Sequence, residues 1–213
     1  MRAAPLGDSA VTIVLGAERT TELLNRVHAT AATLAAEKLA EVQDIVPAYL
    51  GVAVFYDSLR ASYGEVAEKL LAICERGTTS AAVPDRTREH EILVTYDGAD
   101  LAQVSISTGI SIDEVVARHS GRRYTVDLLG FVPGFAYLSE LDPTLQLPRR
   151  SQPRPRVPAG SVAIAGTQTA VYPLDTPGGW HIIGRTEKVM FDPSRDPPAL
   201  LRAGDMVRFV PTT

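Results

Sequence analysis

The stretch of the chain that offers most chemistry is residues 130–138, which reads GFVPGFAYL. Two glycines and a proline restrict the backbone path, and three aromatic rings fall within seven residues. Such a segment can wall a ligand pocket with rings and open main-chain amides, and the candidates are Phe131, Gly134, Phe135 and Tyr137. The same pattern also suits a barrel corner whose rings fill the core, so spacing alone leaves both interpretations open.

Four arginines occupy the eight residues 149–156, where two prolines separate them. The planar guanidinium group matches carboxylates and phosphates, and proline lowers the entropy lost when a loop is held in one shape. The run therefore predicts either an anion site or a solvated charged loop.

A second glycine pair, Gly178 and Gly179, precedes Trp180 and His181. The glycines permit close backbone approach, the indole adds a stacking face, and His181 joins Gln168 as a polar group near a strand end. Together they predict a concave site suited to a small amide or lactam. Tight barrel turns explain the glycines equally well.

Two further side chains leave alternatives open. Arg185 follows an apolar strand, so it is either an anion ligand in a pocket or an ion-pair partner of Glu187 or Asp192. His119 is expected at a helix end, where it either stabilises the helix dipole or transfers protons.

Composition excludes several classes of protein. The 213 residues carry a net charge of −4 and only three lysines, which argues against nucleic acid as a partner. One cysteine among four histidines allows no intramolecular disulfide and offers no metal site. No apolar run approaches the roughly 20 residues that a membrane helix needs, so we expect a cytoplasmic protein. Phosphate-binding loops of the P-loop and dinucleotide types are absent from the sequence.

The elements that must position these residues fall into two unlike halves. Residues 1–86 hold 3 prolines and 5 glycines, whereas residues 87–213 hold 12 and 11. The first half predicts the order βαββαβ, a ferredoxin-like α/β domain. Its predicted elements are a strand at 10–15, a helix at 18–39, strands at 41–46 and 49–56, a helix at 63–76 and a last strand at 91–96. This last strand follows the linker candidate at 84–89 and could belong to either half, and we place the domain boundary between residues 86 and 87.

The second half predicts a β-barrel. Ser111 and Glu114 form a capping box that starts a short helix ending near His119. Short strands separated by glycine or proline then follow, as is typical of closed sheets. They are predicted at 124–129, 161–165, 170–174, 181–184, 188–191 and 206–210.

An ordered set of motifs resembles one family over nearly the whole chain, the KipI family, also described as the B subunits of 5-oxoprolinase or as allophanate hydrolase subunit 1. The motifs are GFxPGFxYL at 130–138, PRR at 148–150, VPAGSV at 157–162, GxQT at 166–169, TPGGW at 176–180 and IGRT at 183–186. The resemblance implies an α+β protein with a small N-terminal α/β domain and a cyclophilin-like β-barrel domain. It also implies two partners, homologous to the C and A subunits of 5-oxoprolinase, with ATP as a cofactor that is either bound mainly by the partner subunit or shared with it.

The implied activity is ATP-dependent opening of 5-oxoproline to glutamate, in a chain that is inactive alone. On this hypothesis Arg150 and Arg185 contact anions, Gln168 orients the lactam or phosphate, and His119 or His181 transfers protons. The remaining substrate-binding residues are Phe131, Gly134, Phe135, Tyr137, Gly178, Gly179 and Trp180.

Two other functions stay open at this stage. One is inhibition of a sensor histidine kinase, as the name KipI implies, through an exposed apolar surface. The other is a role related to urea or allophanate carboxyl transfer, which needs biotin-dependent domains that this chain lacks. Ala170 and Ala136 also depart from the family pattern, which has glycine and proline there, and a methyl group at Ala170 is expected to narrow the site.

Overall fold

The computed structural model describes residues 1–77 and 88–212. The chain forms two compact units, Met1–Arg86 and Thr87–Thr213. None of the helices in the described residues combines the length and the apolar character that crossing a bilayer demands.

The first unit is a four-stranded antiparallel sheet with two helices. Its elements are β1 Arg2–Pro5, β2 Ala10–Val14, α1 Thr21–Ala36, β3 Val42–Pro47, β4 Gly51–Tyr56 and α2 Tyr63–Gly77. The strand order is β1-β2-β4-β3. Alternate residues of the central strands, such as Val11, Ile13 and Val52, are fully buried and pack with apolar residues of both helices.

Local capping sets where the helices of this unit begin. The Thr20 side chain accepts a hydrogen bond from Leu23 N (3.1 Å), so α1 starts later than the predicted residue 18. At α2 the Glu65 carboxylate accepts from Ser62 N (2.9 Å). The capping box that Ser62 and Glu65 form therefore begins α2 at the predicted residue 63.

The last strand of the predicted order βαββαβ, which the sequence left open to either half, lies in the second unit, so the first unit lacks that member. The strand β5, Glu89–Val94, pairs in parallel with β13, Met206–Pro211, in the second unit. It belongs there because Ile92 and Val94 point into that unit's apolar core. In the first unit the edge beside β2 is occupied by β1, which the sequence pattern did not predict.

The second unit is built on a seven-stranded, nearly closed sheet, to which a two-stranded ribbon and two short helices are added. The remaining bounds are α3 Leu101–Thr108, α4 Ile112–Ser120, β6 Arg123–Leu129, β7 Ala136–Ser139, β8 Arg154–Val157, β9 Ser161–Ala165, β10 Gln168–Val171, β11 Thr176–Gly178 and β12 His181–Arg185. The large sheet has the order β12-β9-β10-β7-β6-β13-β5, and β8 and β11 form the ribbon. The predicted strand at 188–191 is wrong, since only Phe191 makes an isolated bridge there.

Main-chain bonds from residues 95–100 to β12 close most of the remaining gap in the sheet. Thr95 N donates to Arg185 O, Arg185 N donates to Thr95 O, and Asp100 N donates to Ile182 O, each at 2.9 Å. A Cβ atom at Gly98 would overlap the backbone of β12, so this approach requires glycine.

Candidate functional site

Aromatic side chains of the second unit surround a cavity of about 200 Å³, here called the aromatic cavity. Its central ring is Phe135, which packs edge to face against four others at centroid distances of 4.9–5.7 Å. The lining residues are Phe131, Phe135, Tyr137, Arg149, Pro153, Tyr172, Pro177, Gly178, Gly179 and Trp180.

The loop before β7 holds one ring at the rim of this cavity. Gly130 N donates to Phe135 O, and Phe135 N donates to Val132 O, both at 3.1 Å. This tight path places Phe131 at a φ of 71°, a left-handed conformation that bulky residues rarely adopt. The residue remains 61 % exposed, so backbone strain is retained at a residue that borders the cavity.

The two glycines of the TPGGW motif have different roles. A Cβ atom at Gly178 would overlap the Tyr172 hydroxyl, whereas one at Gly179 would meet Pro153 at an ordinary 3.7 Å. Gly178 therefore lets the Tyr172 hydroxyl lie against the backbone of the motif. Gly134 lies beside Phe191 with a φ of 77° and does not line the cavity.

Among the side chains that line the aromatic cavity, those of Tyr137, Tyr172, Trp180 and Arg149 carry polar groups. Burial raises the pKa of both Tyr137 and Tyr172, and the charge of Arg149 partly opposes the rise. Both hydroxyls are therefore neutral hydrogen-bonding groups at neutral pH. Arg149 is exposed and has no hydrogen bond or ion pair within residues 1–77 and 88–212.

A second cavity of about 440 Å³, here called the polar cavity, shares Arg149 with the aromatic cavity. It is lined by Gln103, Ser107, Leu147, Pro148, Arg149, Arg150, Ser151, Gln152 and His181. His181 Nε2 hydrogen-bonds to Pro148 O at 2.9 Å, and Arg150 N donates to Gly179 O at 2.8 Å. These bonds join the arginine-rich segment to the start of β12.

A buried carboxylate holds two arginines of this segment. Asp100 Oδ1 accepts from Arg150 (2.7 Å) and Arg154 (2.7 Å), and Oδ2 accepts from Arg154 (2.8 Å) and Ile182 N (2.7 Å). Burial acts to raise the pKa of Asp100, but these hydrogen bonds and the two positive charges outweigh it and hold the pKa below its ordinary value.

The predicted site residues divide among several places. Six line the aromatic cavity, namely Phe131, Phe135, Tyr137, Gly178, Gly179 and Trp180. Arg150 and His181 line the polar cavity instead. Gln168, His119 and Arg185 line neither.

His119 lies fully buried in the apolar core of the second unit. Its Nδ1 accepts from the Tyr96 hydroxyl (2.7 Å), and its Nε2 donates to Thr169 Oγ1 (2.9 Å), because the Thr169 hydroxyl itself donates to Ala163 O. Burial lowers the pKa of His119 to about 3, so the ring is neutral. A charged His119 that stabilises the dipole of α4 is therefore not what the structure shows.

Arg185 is at the opposite end of β12 from His181. It is 60 % exposed and pairs with Asp97 at 2.9 Å, so both predicted partners, Glu187 and Asp192, are wrong. It lines a third cavity that is separate from the other two. Gln168 begins β10, opposite Ser139 on β7 and Ala165 on β9.

Ala170 and Ala136 do not narrow the aromatic cavity. Both are buried, Ala170 opposite Ala163 on β9 and Ala136 opposite Leu129 on β6, and neither is among the lining residues. The Ala170 methyl group is therefore not part of the cavity wall, and the narrowing expected from it is not observed.

Four residues that line the aromatic cavity were not selected from the sequence, namely Arg149, Pro153, Tyr172 and Pro177, and two of them carry polar groups. Arg149 belongs to the arginine run, but nothing in that run distinguishes it from Arg150, whose partner Asp100 lies 50 residues away. Tyr172 follows β10, and its role depends on the approach of Gly178.

The second unit is a nearly closed, barrel-like sheet with a ring-lined cavity and an arginine at the border of that cavity. The chain belongs to the family described as "Carboxyltransferase domain, subdomain C and D", which matches residues 1–201. Two similar proteins are both named as the B subunit of 5-oxoprolinase. That of Escherichia coli O157:H7 is 42 % identical over 209 residues, covering 97 % of this chain and 94 % of the relative. That of Bacillus subtilis is 38 % identical over 222 residues, covering 96 % and 90 %.

Solved structures agree with this family. The crystal structure of TTHA0988 matches with a TM-score of 0.84 and 40 % identity over 96 % of this chain, which spans only 40 % of that protein. A conserved protein from Pyrococcus horikoshii, PH0987, is 42 % identical with a TM-score of 0.58, covering 99 % of this chain and 97 % of that one. The Kluyveromyces lactis urea carboxylase, at 17 % identity and a TM-score of 0.74, shares the fold.

Proposed function

We propose that this chain is the B subunit of an ATP-dependent 5-oxoprolinase. The observation that carries the proposal is the match, over nearly the whole chain, to proteins that bear this name. The chain acts in the cytoplasm with a partner homologous to the C subunit, and a partner homologous to the A subunit opens the ring. It is inactive alone, and ATP binds at a site shared with the C-subunit homologue.

The aromatic cavity supports a small cyclic substrate. Its 200 Å³ are walled by rings, which suit the apolar faces of a five-membered lactam, and its neutral tyrosine hydroxyls can bond the ring amide. Arg149 at the border supplies the positive charge that the carboxylate of 5-oxoproline needs.

The chemistry of the proposal starts from the stability of the amide. The lactam oxygen attacks the γ-phosphorus of ATP and ADP leaves, which makes the ring carbon electrophilic. One water then adds to that carbon and the ring C–N bond breaks, which leaves γ-glutamyl phosphate. A second water releases phosphate and gives glutamate. Negative charge develops on the transferred phosphoryl group, so fixed cationic and hydrogen-bond donors stabilise the transition state.

We also propose a fold type for each of the two units. We assign the first unit to a ferredoxin-like arrangement in which β1 takes the edge position of the missing last strand, since the order β2-β4-β3 is antiparallel with helices after β2 and β4. We assign the second unit to the cyclophilin-like barrels, since a seven-stranded sheet nearly closes on itself.

The test is reconstitution of the complex of three proteins from the co-expressed partners. Glutamate and ADP are measured with 5-oxoproline as substrate, and urea and other cyclic amides are used for comparison. We expect turnover only with all three proteins, a strong decrease for Arg149→Gln, and normal rates for Arg156→Gln, because Arg156 is exposed and pairs with Asp175 outside both cavities. A complete complex that forms no glutamate from 5-oxoproline would rule the proposal out.

A further inference from the structure

The polar cavity has a charge pattern of its own beside the proposed lactam pocket, with which it shares only Arg149. Among its nine lining residues in the described chain, two are arginines, four are neutral hydroxyl or amide side chains, and none is acidic. Its 440 Å³ lie within the range of small-molecule sites, about 300–1,000 Å³. A pocket of this composition favours an anion that accepts several hydrogen bonds.

The carboxylate of Asp100 does not neutralise the positive charge beside the polar cavity. Asp100 is buried and serves both Arg150 and Arg154, so this trio retains one net positive charge. Arg149 adds another, because it has no acidic partner in the part of the chain that the structure describes. The polar cavity therefore adjoins two uncompensated positive charges, which attract an anion.

The loop that carries Arg149 is fixed on both sides before any ligand binds. Gly166 N donates to Leu147 O at 2.7 Å, His181 Nε2 bonds to Pro148 O, and Arg150 N bonds to Gly179 O. Only the side chain of Arg149 remains to be ordered, so little conformational entropy is lost when it binds a ligand.

Further donors face this region from α3 and from the arginine segment. The Gln103 amide donates to the Ser107 hydroxyl at 3.0 Å, which places two polar groups together on one helix face. Arg150 Nε, an N–H donor, is buried without a hydrogen-bond partner in the described residues, and so is His181 Nδ1, the acceptor nitrogen of a ring whose Nε2 donates to Pro148 O. Buried donors without partners are rare and destabilising, so Arg150 Nε is an unsatisfied donor within a residue of the cavity wall.

We propose that the polar cavity is an oxyanion site and that it binds a phosphoryl group through Arg149. Arg149 also borders the aromatic cavity. A phosphoryl group in the polar cavity and a flat ring in the aromatic cavity would therefore both lie beside the Arg149 guanidinium. The choice of phosphoryl over carboxylate rests on the proposed function, whereas the anion site rests on the charges and donors alone.

The test measures anion binding by the purified full chain, without partners and without turnover. Diphosphate, inorganic phosphate and acetate are titrated at constant ionic strength, and binding is followed by calorimetry and, for the phosphates, by ³¹P line broadening. We expect saturable diphosphate binding that Arg149→Gln weakens roughly tenfold or more, since a charge-assisted bidentate contact is lost. Arg156→Gln is the matched control and should bind as the wild type does.

Each outcome decides a separate point. Binding that does not saturate, or that both variants weaken equally, overturns the oxyanion site. Acetate that binds as tightly as phosphate retains the anion site and overturns its assignment to a phosphoryl group. Diphosphate binding in a chain whose complex shows no 5-oxoproline turnover retains the site and removes the proposed function. Melting temperatures of both variants that equal that of the wild type show that neither change acts through folding.

Discussion

Replacement of Asp100 by asparagine should destabilise the second unit strongly. The substitution keeps the shape of the side chain but leaves Arg150 and Arg154 without their counter-charge. Loss of one partner of a buried ion pair costs about 3–5 kcal/mol, and we take about 3 kcal/mol because both arginines keep some exposure. For a unit of this size that corresponds to a decrease of roughly 10 °C in melting temperature.

The matched control is Asp97→Asn, which removes the carboxylate that pairs with Arg185 on the surface. Exposed pairs contribute about 0–1 kcal/mol, so this variant should melt within about 3 °C of the wild type. Differential scanning calorimetry at neutral pH gives both values. If Asp100→Asn melts no lower than Asp97→Asn, the argument that Asp100 anchors the arginine segment is refuted.

The pH dependence gives a second check on Asp100. Its pKa is lowered in the folded chain, so its contribution is complete above the unfolded pKa of about 3.9 and decreases as pH falls toward the folded value. The difference in stability between the wild type and Asp100→Asn should therefore narrow below about pH 4.

Three further predictions concern single positions. Phe131→Gly should change the melting temperature little, because relief of about 1 kcal/mol of left-handed backbone strain offsets the added entropy of the unfolded chain. The same variant should raise KM for 5-oxoproline in the reconstituted complex, because the ring at the rim of the cavity is lost. Gly178→Ala should lower both stability and turnover by forcing Tyr172 aside, whereas Gly179→Ala stays near wild type; equal melting curves would contradict this. His119→Gln should flatten the loss of stability between pH 6.5 and 5, since the unfolded wild type takes up a proton there and the folded His119, with a pKa of about 3, does not. That loss amounts to about 2 kcal/mol in the wild type and is measured by urea unfolding at the two pH values.

Local signals in the sequence predicted many of the elements well. The boxes at Ser62–Glu65 and Ser111–Glu114 started α2 and α4 at the right residues, because capping depends only on neighbours three positions apart. The sheet to which β5 belongs could not be predicted from such local signals. Its pairing with β13 joins segments more than a hundred residues apart, and a strand's own pattern does not name its partner.

The candidate site was likewise predictable only where a short motif forms one of its walls. Aromatic rings and glycines in short motifs indicated the aromatic cavity, since each motif forms one local wall. The role of Arg150 in anion binding stays a prediction. The sequence could not show that Asp100 hydrogen-bonds to Arg150 while Arg149 has no such partner among the described residues. His119 looked available at a helix end, yet the barrel encloses it, and only the packing of distant strands determines that.

Residues 95–100 also give the barrel a vulnerability. They hydrogen-bond to the outer side of β12, and the Asp100 side chain bonds to Ile182 N across a separation of 82 residues. Proteolytic removal of this segment would expose main-chain donors and acceptors along β12, and such an uncovered strand recruits other chains. A fragment that starts after Asp100 should therefore self-associate into aggregates and lose both cavities together.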